Sequence, residues 1–236
     1  MSAAMDDTAV VDFRVRAAAQ KRQRMRERLI TATIDAYGAA QPGVMPVIDD
    51  VIRAAQVSRG TFYKYFDSLD QVLAEIGQRS AAEMLSSFEQ LFDGVTDAAV
   101  RTAAGPLMAM ARAAMEPRHA AFISRMDFID FMAGQDPRSL IVSRCLEDGR
   151  LQGRLKFESL DAAIDLVIGV SVEGARRVLK SGALDAATLH ETTTLVLLGL
   201  GLGREAAENA VSQAWQHLQT QAQARALHWW KPVSGL

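Results

Sequence analysis

The chain has 236 residues, 49% apolar and 23% charged, with 26 basic and 28 acidic side chains and a net charge of −2. That is enough apolar material for one large or two modest domains, and it excludes a long disordered region. The single cysteine, Cys145, cannot close a disulfide within the chain, and no run of about 18 apolar residues is free of charge, so no membrane span is expected.

The first apolar residues are scattered among Asp6, Asp7 and Asp12, unlike a signal peptide, and cytoplasm is the expected location. Residues 1 to about 11 are expected to fray. From about Arg16 the pattern turns helical, with Lys21, Arg22, Arg24, Arg26 and Arg28 as its basic residues. Leu29, Ile30, Ile34 and Tyr37 then form one apolar stripe at helical period. Pro42-Gly43 should end this helix near Ala40.

The next stretch, 47–66, reads VIDDVIRAAQVSRGTFYKYF. Ile48, Val51, Ile52 and Ala55 lead into a short break at Gln56-Val57-Ser58, and a second short segment follows. Ser58 is a good N-cap for it. Phe62 and Phe66, four apart, should anchor the second helix, leaving Arg59, Thr61, Tyr63 and Lys64 exposed. Two short helices around a tight turn, the second rich in donors and aromatics, read as a helix-turn-helix. Arg59 and Lys64 can donate to guanine edges or phosphates, and Thr61, Tyr63 and Tyr65 can donate hydroxyl hydrogen bonds. Gly60 would let the helix N-terminus approach a phosphate.

Charge agrees with that placement. Between Arg14 and Phe66 stand ten Lys/Arg against four Asp/Glu, a net of +6, so the remainder carries −8. A basic segment on an acidic body is the footprint of a nucleic-acid binder. Arg14–Arg28 could add phosphate or minor-groove contacts.

Ser68 with Gln71 matches a capping box, opening a longer helix that carries Val72, Leu73, Ile76, Met84, Leu85, Phe88, Leu91 and Phe92. Further helical segments are expected at about 97–115, 120–133, 137–148, 160–180, 186–199 and 205–228, with Pro106 splitting or kinking the first. No alternating strand stands out. The expected fold is all-α, with roughly nine or ten helices.

Residues 24–76 resemble the TetR family of bacterial transcription regulators. The resemblance rests on Leu29, Ala32 and Tyr37, then on Val51–Phe66 with its Val-Ser-Arg-Gly-Thr-Phe-Tyr-x-Tyr-Phe run, and continues through Asp67–Leu73. It implies a three-helix DNA-binding domain at 15–80 and a larger helical ligand-binding and dimerisation domain at 81–236. It also implies a DNA-contact set of Ser58, Arg59, Gly60, Thr61, Tyr63, Lys64 and Tyr65. Three residues depart from the common helix-turn-helix pattern: Ile52 where a small residue is usual, Gln56 where glycine is usual, and Leu69 where many members carry lysine. The turn at Gln56 needs positive φ, which costs a non-glycine residue on the order of 1 kcal/mol.

The resemblance further implies a homodimer built from two late helices, Leu160–Lys180 and Ala186–Gly199, packed on their mates. Val167, Gly169, Val170, Gly174, Val178, Leu195, Leu198 and Leu202 are the candidate packing residues. The middle of the chain is rich in Met and Phe, which line adaptable cavities as well as filling cores. The candidate ligand set is Phe88, Phe92, Met108, Arg112, Phe122, Met126 and Phe128. His119, Arg125, Asp127 and Asp130 are further polar candidates.

Enzyme readings find no support in the pattern. Gly201-Leu-Gly203-Arg-Glu-Ala206 fits a dinucleotide fingerprint, but too little chain follows to complete a βαβ unit, so a helix C-cap is the better reading. The four histidines have no metal spacing, and no nucleophile–base grouping stands out. The expectation is therefore no catalytic residue, no metal and no cofactor. The partners would be a double-stranded DNA operator, a small apolar effector and a second copy of the chain. The function expected is a repressor of palindromic operators released by that effector. The alternative is a constitutive architectural or division-linked DNA binder with no effector.

Overall fold

In the computed structural model of the chain, the backbone is described for residues 3–41, 44–124, 141–225, 227 and 229–231, and side chains from residue 16 onward. Every regular element among the described residues is helical. The ten helices are α1 (Ala3–Ala39), α2 (Ile48–Ala55), α3 (Arg59–Tyr63), α4 (Leu69–Phe92), α5 (Ala98–Met115), α6 (Pro117–Ile123), α7 (Ile141–Leu151), α8 (Leu160–Ser181), α9 (Ala186–Gly199) and α10 (Arg204–Ala224). None of the described helices is long and apolar enough to cross a membrane. The chain divides into two units, Met1–Ile76 and Gly77–Leu236, with the division inside α4.

In the first unit, α1 begins at Ala3, well before the helical onset expected near Arg16. Neither glycine nor proline interrupts the sequence before Gly38, and alanine is frequent, so nothing local stops the helix from extending. The unit's core is the apolar stripe of α1 (Leu29, Ile30, Ala32, Tyr37) closed by Val51, Ala55, Phe62, Phe66, Val72 and Ile76. At the start of α4, the Gln71 N–H donates to Ser68 Oγ at 3.2 Å, and Gln71 Oε1 accepts from the Asp67 N–H at 2.7 Å. The glutamine thus reaches one residue further back than a standard capping box.

The second unit is built around α5, which packs against α6, α7, α8, α9 and α10. Its sequence, AAVRTAAGPLMAMARAAM, puts six alanines among its fourteen buried residues, so neighbours approach closely. Close approach is literal at Gly174 on α8: a Cβ there would stand 2.6 Å from Met110 Sδ. Helix α5 runs through Pro106 as one element, so of the expected split or kink the split does not occur. Packing on five neighbours offsets the hydrogen bond that proline removes. The α5 N-terminus is clamped: Asp97 accepts from the Ala99 N–H at 2.8 Å and pairs with Arg154 at 2.8 Å, while Gln152 Oε1 accepts from the Ala98 N–H at 3.1 Å.

Beyond α5, the segment expected at 120–133 starts earlier, with Pro117 at the first position of α6, where a missing N–H does no harm. Its remainder from 125 lies outside the described residues, and the segment expected at 137–148 is described as α7 from Ile141. Helix α9 ends with Gly201 at φ +87°, where a Cβ would lie 2.8 Å from the Lys156 carbonyl oxygen. The Lys156 N–H donates to the Leu200 carbonyl at 2.7 Å beside it. The Gly201/Gly203 pair is thus a helix-to-helix connection. After α10, Trp229 and Trp230 close the core against Trp215, with Trp215 and Trp230 ring centroids 6.1 Å apart.

Candidate functional site

In the first unit the candidate face is α2, its turn and α3. Gln56 adopts φ 51°, ψ 49°, the only positive φ among described non-glycine residues. The Val57 N–H returns to the Ile52 carbonyl at 3.0 Å and the Gln56 N–H to Arg53 at 3.1 Å, closing α2 with a left-handed cap. Two residues on, Ser58 Oγ accepts from the Thr61 N–H at 3.1 Å and lies 2.9 Å from the Thr61 hydroxyl. These two caps fix the angle between the helices by local chemistry alone.

Below α3, Phe62 and Phe66 are buried with centroids 6.0 Å apart. Above it, Ser58, Arg59, Gly60, Tyr63 and Lys64 are exposed, with Thr61 and Tyr65 half-buried. Arg59 pairs with Asp49 at 3.6 Å, a solvent-screened contact that a stronger anion can displace. Lys64 has no carboxylate partner among the described residues. A Cβ on Gly60 would meet only Ser58 Oγ, at 3.9 Å, so packing within the protein does not demand glycine there.

Arg26 corrects the reading of the basic segment. It is half-buried, forms a bidentate pair with Glu75, donates to the Tyr65 carbonyl at 2.9 Å and lies 4.2 Å above the Phe66 ring. Its charge is committed to joining α1, α3 and α4, which leaves it unsuited to phosphate. Lys21, Arg22, Arg24 and Arg28 are exposed.

In the second unit, helices α4 to α8 enclose a cavity of about 440 Å³. Phe88, Met108 and Arg112 of the candidate ligand set line it, as does His119. Phe92 and Phe122 do not: Phe92 stacks on Phe88 at 5.2 Å and meets His217 at 5.1 Å, and Phe122 is wholly buried. Each faces neighbouring helices in the packed core. Met126, Phe128, Arg125, Asp127 and Asp130 lie outside the described residues. A depression of about 480 Å³ in the first unit is lined, apart from Pro46, by exposed or half-buried residues.

The cavity's polar groups differ sharply from one another. Arg112 is buried and doubly paired: its Nε donates to Glu116 at 2.9 Å, its Nη2 to Glu83 at 2.7 Å, and its guanidinium lies 5.8 Å from the Trp229 ring. Burial, then the nearby Arg112 charge, hold His119 below the usual histidine pKa, so it stands neutral. Burial pushes the Cys145 thiol up, which leaves it an inert thiol. The hydroxyls of Thr102 and Ser171 already donate to the carbonyls of Ala98 and Val167, at 2.8 and 2.6 Å.

Arg101, Thr102, Cys145 and Ser171, which also line the cavity, were not among the sequence candidates. A signal for Arg101 existed: Arg101, Gly105, Met108, Ala109 and Arg112 fall at i, i+4, i+7, i+8 and i+11, a single face of α5. Cys145 and Ser171 come from helices whose docking no local pattern specifies.

Of the candidate packing residues for a dimer, Val167, Gly174, Val178 and Leu202 are buried within the unit, and Val170 and Leu198 are half-buried. Gly169 and Leu195 are exposed, Leu195 by 53%.

No known family profile and no curated protein matches the chain in sequence. Solved structures do match in fold. FadR from Bacillus halodurans, a fatty acid degradation regulator, aligns with a TM-score of 0.62 at 18% identity, over 76% of this chain and 97% of its own. RolR in complex with its ligand resorcinol aligns at 0.59 with 22% identity, over 83% of this chain and 96% of its own. RolR without ligand aligns at 0.55, again with 22% identity, over 80% and 96%. The chain therefore shares an all-helical fold with a regulator and with a protein solved both with and without a small ligand.

Proposed function

We propose that the chain is a ligand-responsive, DNA-binding transcription regulator of the TetR type. It would act in the cytoplasm as a homodimeric repressor of a palindromic operator, released by a small effector held in the second unit. One observation carries the reading. The left-handed cap at Gln56 and the Ser58 N-cap hold α3 on buried Phe62 and Phe66, with Arg59, Tyr63 and Lys64 facing solvent. Exposed Gly60 supports it, since a missing side chain that the fold does not require leaves room for a close external partner. The fold shared with FadR and with ligand-bound RolR supports the effector half of the reading. Exposed Leu195 on α9 supports self-association.

Arg59, Tyr63 and Lys64 would contact the major groove, and a dimer would place two such helices about 34–36 Å apart, one DNA turn. An effector releases DNA only through differential affinity for two states. Switching from 1:99 to 99:1 takes about 5.5 kcal/mol.

Selection from a randomised duplex library, read by fluorescence anisotropy across a salt series, tests this. A palindromic site should emerge. Lys64→Ala should then reduce the slope of log K against log salt by about 0.9, one released counterion. Failure to enrich any sequence, with salt-independent binding, would refute the DNA-reading assignment.

A further inference from the structure

We infer that the second unit's cavity takes a small amphipathic monocarboxylate, with Arg101 as the group that receives its acid. The inference rests on the reading of this cavity as a ligand site and adds the ligand's charge. Two arginines on one face of α5 line the cavity, and their surroundings are opposite. Arg112 is paired with both Glu83 and Glu116, whose two carboxylates outweigh its charge and disfavour a further anion. Arg101 has no carboxylate partner among the described residues. Its Nε is buried with no hydrogen-bond partner. Beside it lie the Cys145 thiol and the Phe88 ring, the latter 5.6 Å from its guanidinium. Neither contact supplies negative charge, because burial keeps the thiol protonated.

A half-buried guanidinium with no carboxylate paired to it among the described residues is costly. Its planar fork fits a carboxylate through two parallel hydrogen bonds, stronger than neutral ones. The neighbouring hydroxyls of Thr102 and Ser171 have their protons on backbone carbonyls, so beside them Arg101 is the charged donor available to an acid. Around it the walls are apolar, with Met84, Phe88, Met108, Val167 and Ile168 available to the rest of the ligand. Gly105, one turn from Arg101, leaves open space where a Cβ would project. Volume and lining suit a ligand of modest size with one polar end.

Two isosteric pairs test this by titration calorimetry on the full chain at pH 7.5: 4-butylbenzoate against 4-butylbenzamide, and octanoate against octanamide. At least one carboxylate should bind tenfold or more tightly than its amide. Arg101→Gln should remove that difference, and Arg101→Lys should retain part of it. Gly105→Leu, which puts a bulky side chain into the cavity one turn from Arg101, should weaken binding of both members of the pair tenfold or more.

Equal affinity within both pairs overturns the inference while the cavity reading survives. Carboxylate binding that is undiminished in Gly105→Leu places the ligand elsewhere and overturns it too. Binding of none of the four probes sinks the inference and the ligand-site reading together. The wild-type ratio decides the matter even if Arg101→Gln fails to fold.

Discussion

The two units bury arginine for different ends. In the first, Arg26 ties α1 to α3 and α4 through Glu75, the Tyr65 carbonyl and the Phe66 ring, and the remaining described basic groups face solvent. In the second, Arg112 is paired with Glu83 and Glu116, while Arg101 opens on a cavity with its Nε unsatisfied. The first unit thus makes its surface by stapling a small core and turning charge outward. The second makes an interior site in which one charge has no carboxylate partner among the described residues. An outward face needs rigid support beneath it, whereas a pocket needs a defect in packing that a ligand can fill.

The units can be followed separately, because all three tyrosines lie in the first and all three tryptophans in the second. The largest separation should come from Phe62→Ala. Removing a fully buried ring from so small a core costs about 3–5 kcal/mol. The tyrosine-monitored transition should collapse and DNA binding should vanish, while tryptophan fluorescence stays native. A tryptophan transition that falls equally would show that the units do not unfold independently.

Arg26→Met should cost about 1–3 kcal/mol, since Glu75 is left partly buried and unmatched by Arg26, with solvent screening part of the loss. Urea unfolding followed by tyrosine would record it, and adding Glu75→Gln should restore part. Unchanged stability with a shallower salt slope in DNA binding would return Arg26 to the phosphate-contacting set.

Gln56→Gly should act in the opposite direction, stabilising the first unit by about 1 kcal/mol through relief of the left-handed strain. Its tyrosine-monitored Tm should rise by a few degrees with DNA affinity retained. A fall in Tm would mean that the glutamine side chain compensates for its backbone.

The smallest effect is a pH dependence confined to the second unit, because the first contains no histidine. Burial holds His119 and His190 below the ordinary histidine pKa. Above the unfolded value both states are neutral and contribute nothing. As pH falls through it the unfolded chain takes protons first, so stability drops towards the lower folded pKa. Tryptophan-monitored stability should therefore decline between pH 7.5 and 5.5, less so in His119→Gln, while the tyrosine signal holds. A flat tryptophan profile would place both rings in contact with water.

Much of the first unit's candidate face was legible because its caps are local. The positive φ at Gln56 follows from where the motif needs its turn, and the Ser58 cap from a hydroxyl three residues before the N–H it accepts from. Buried Phe62 and Phe66 follow from a spacing of four. Arg26 was misread with the other basic residues because its partner Glu75 stands 49 positions away. The cavity was less legible still. Phe88, Met108 and Arg112 were candidates by composition, but composition could not separate them from Phe92 and Phe122, which the same chemistry sends into the core.

The sequence by itself determined the all-helical class, the helix-turn-helix position and most helix ends, since period, caps and breakers act within a few residues. It did not determine that α5 would run through Pro106, that Arg26 would face inward, or that Arg112 rather than Arg101 would meet carboxylates among the described residues. Those outcomes depend on which distant helices dock on a given face. Only tertiary packing decides whether a buried charge meets its opposite or an open space.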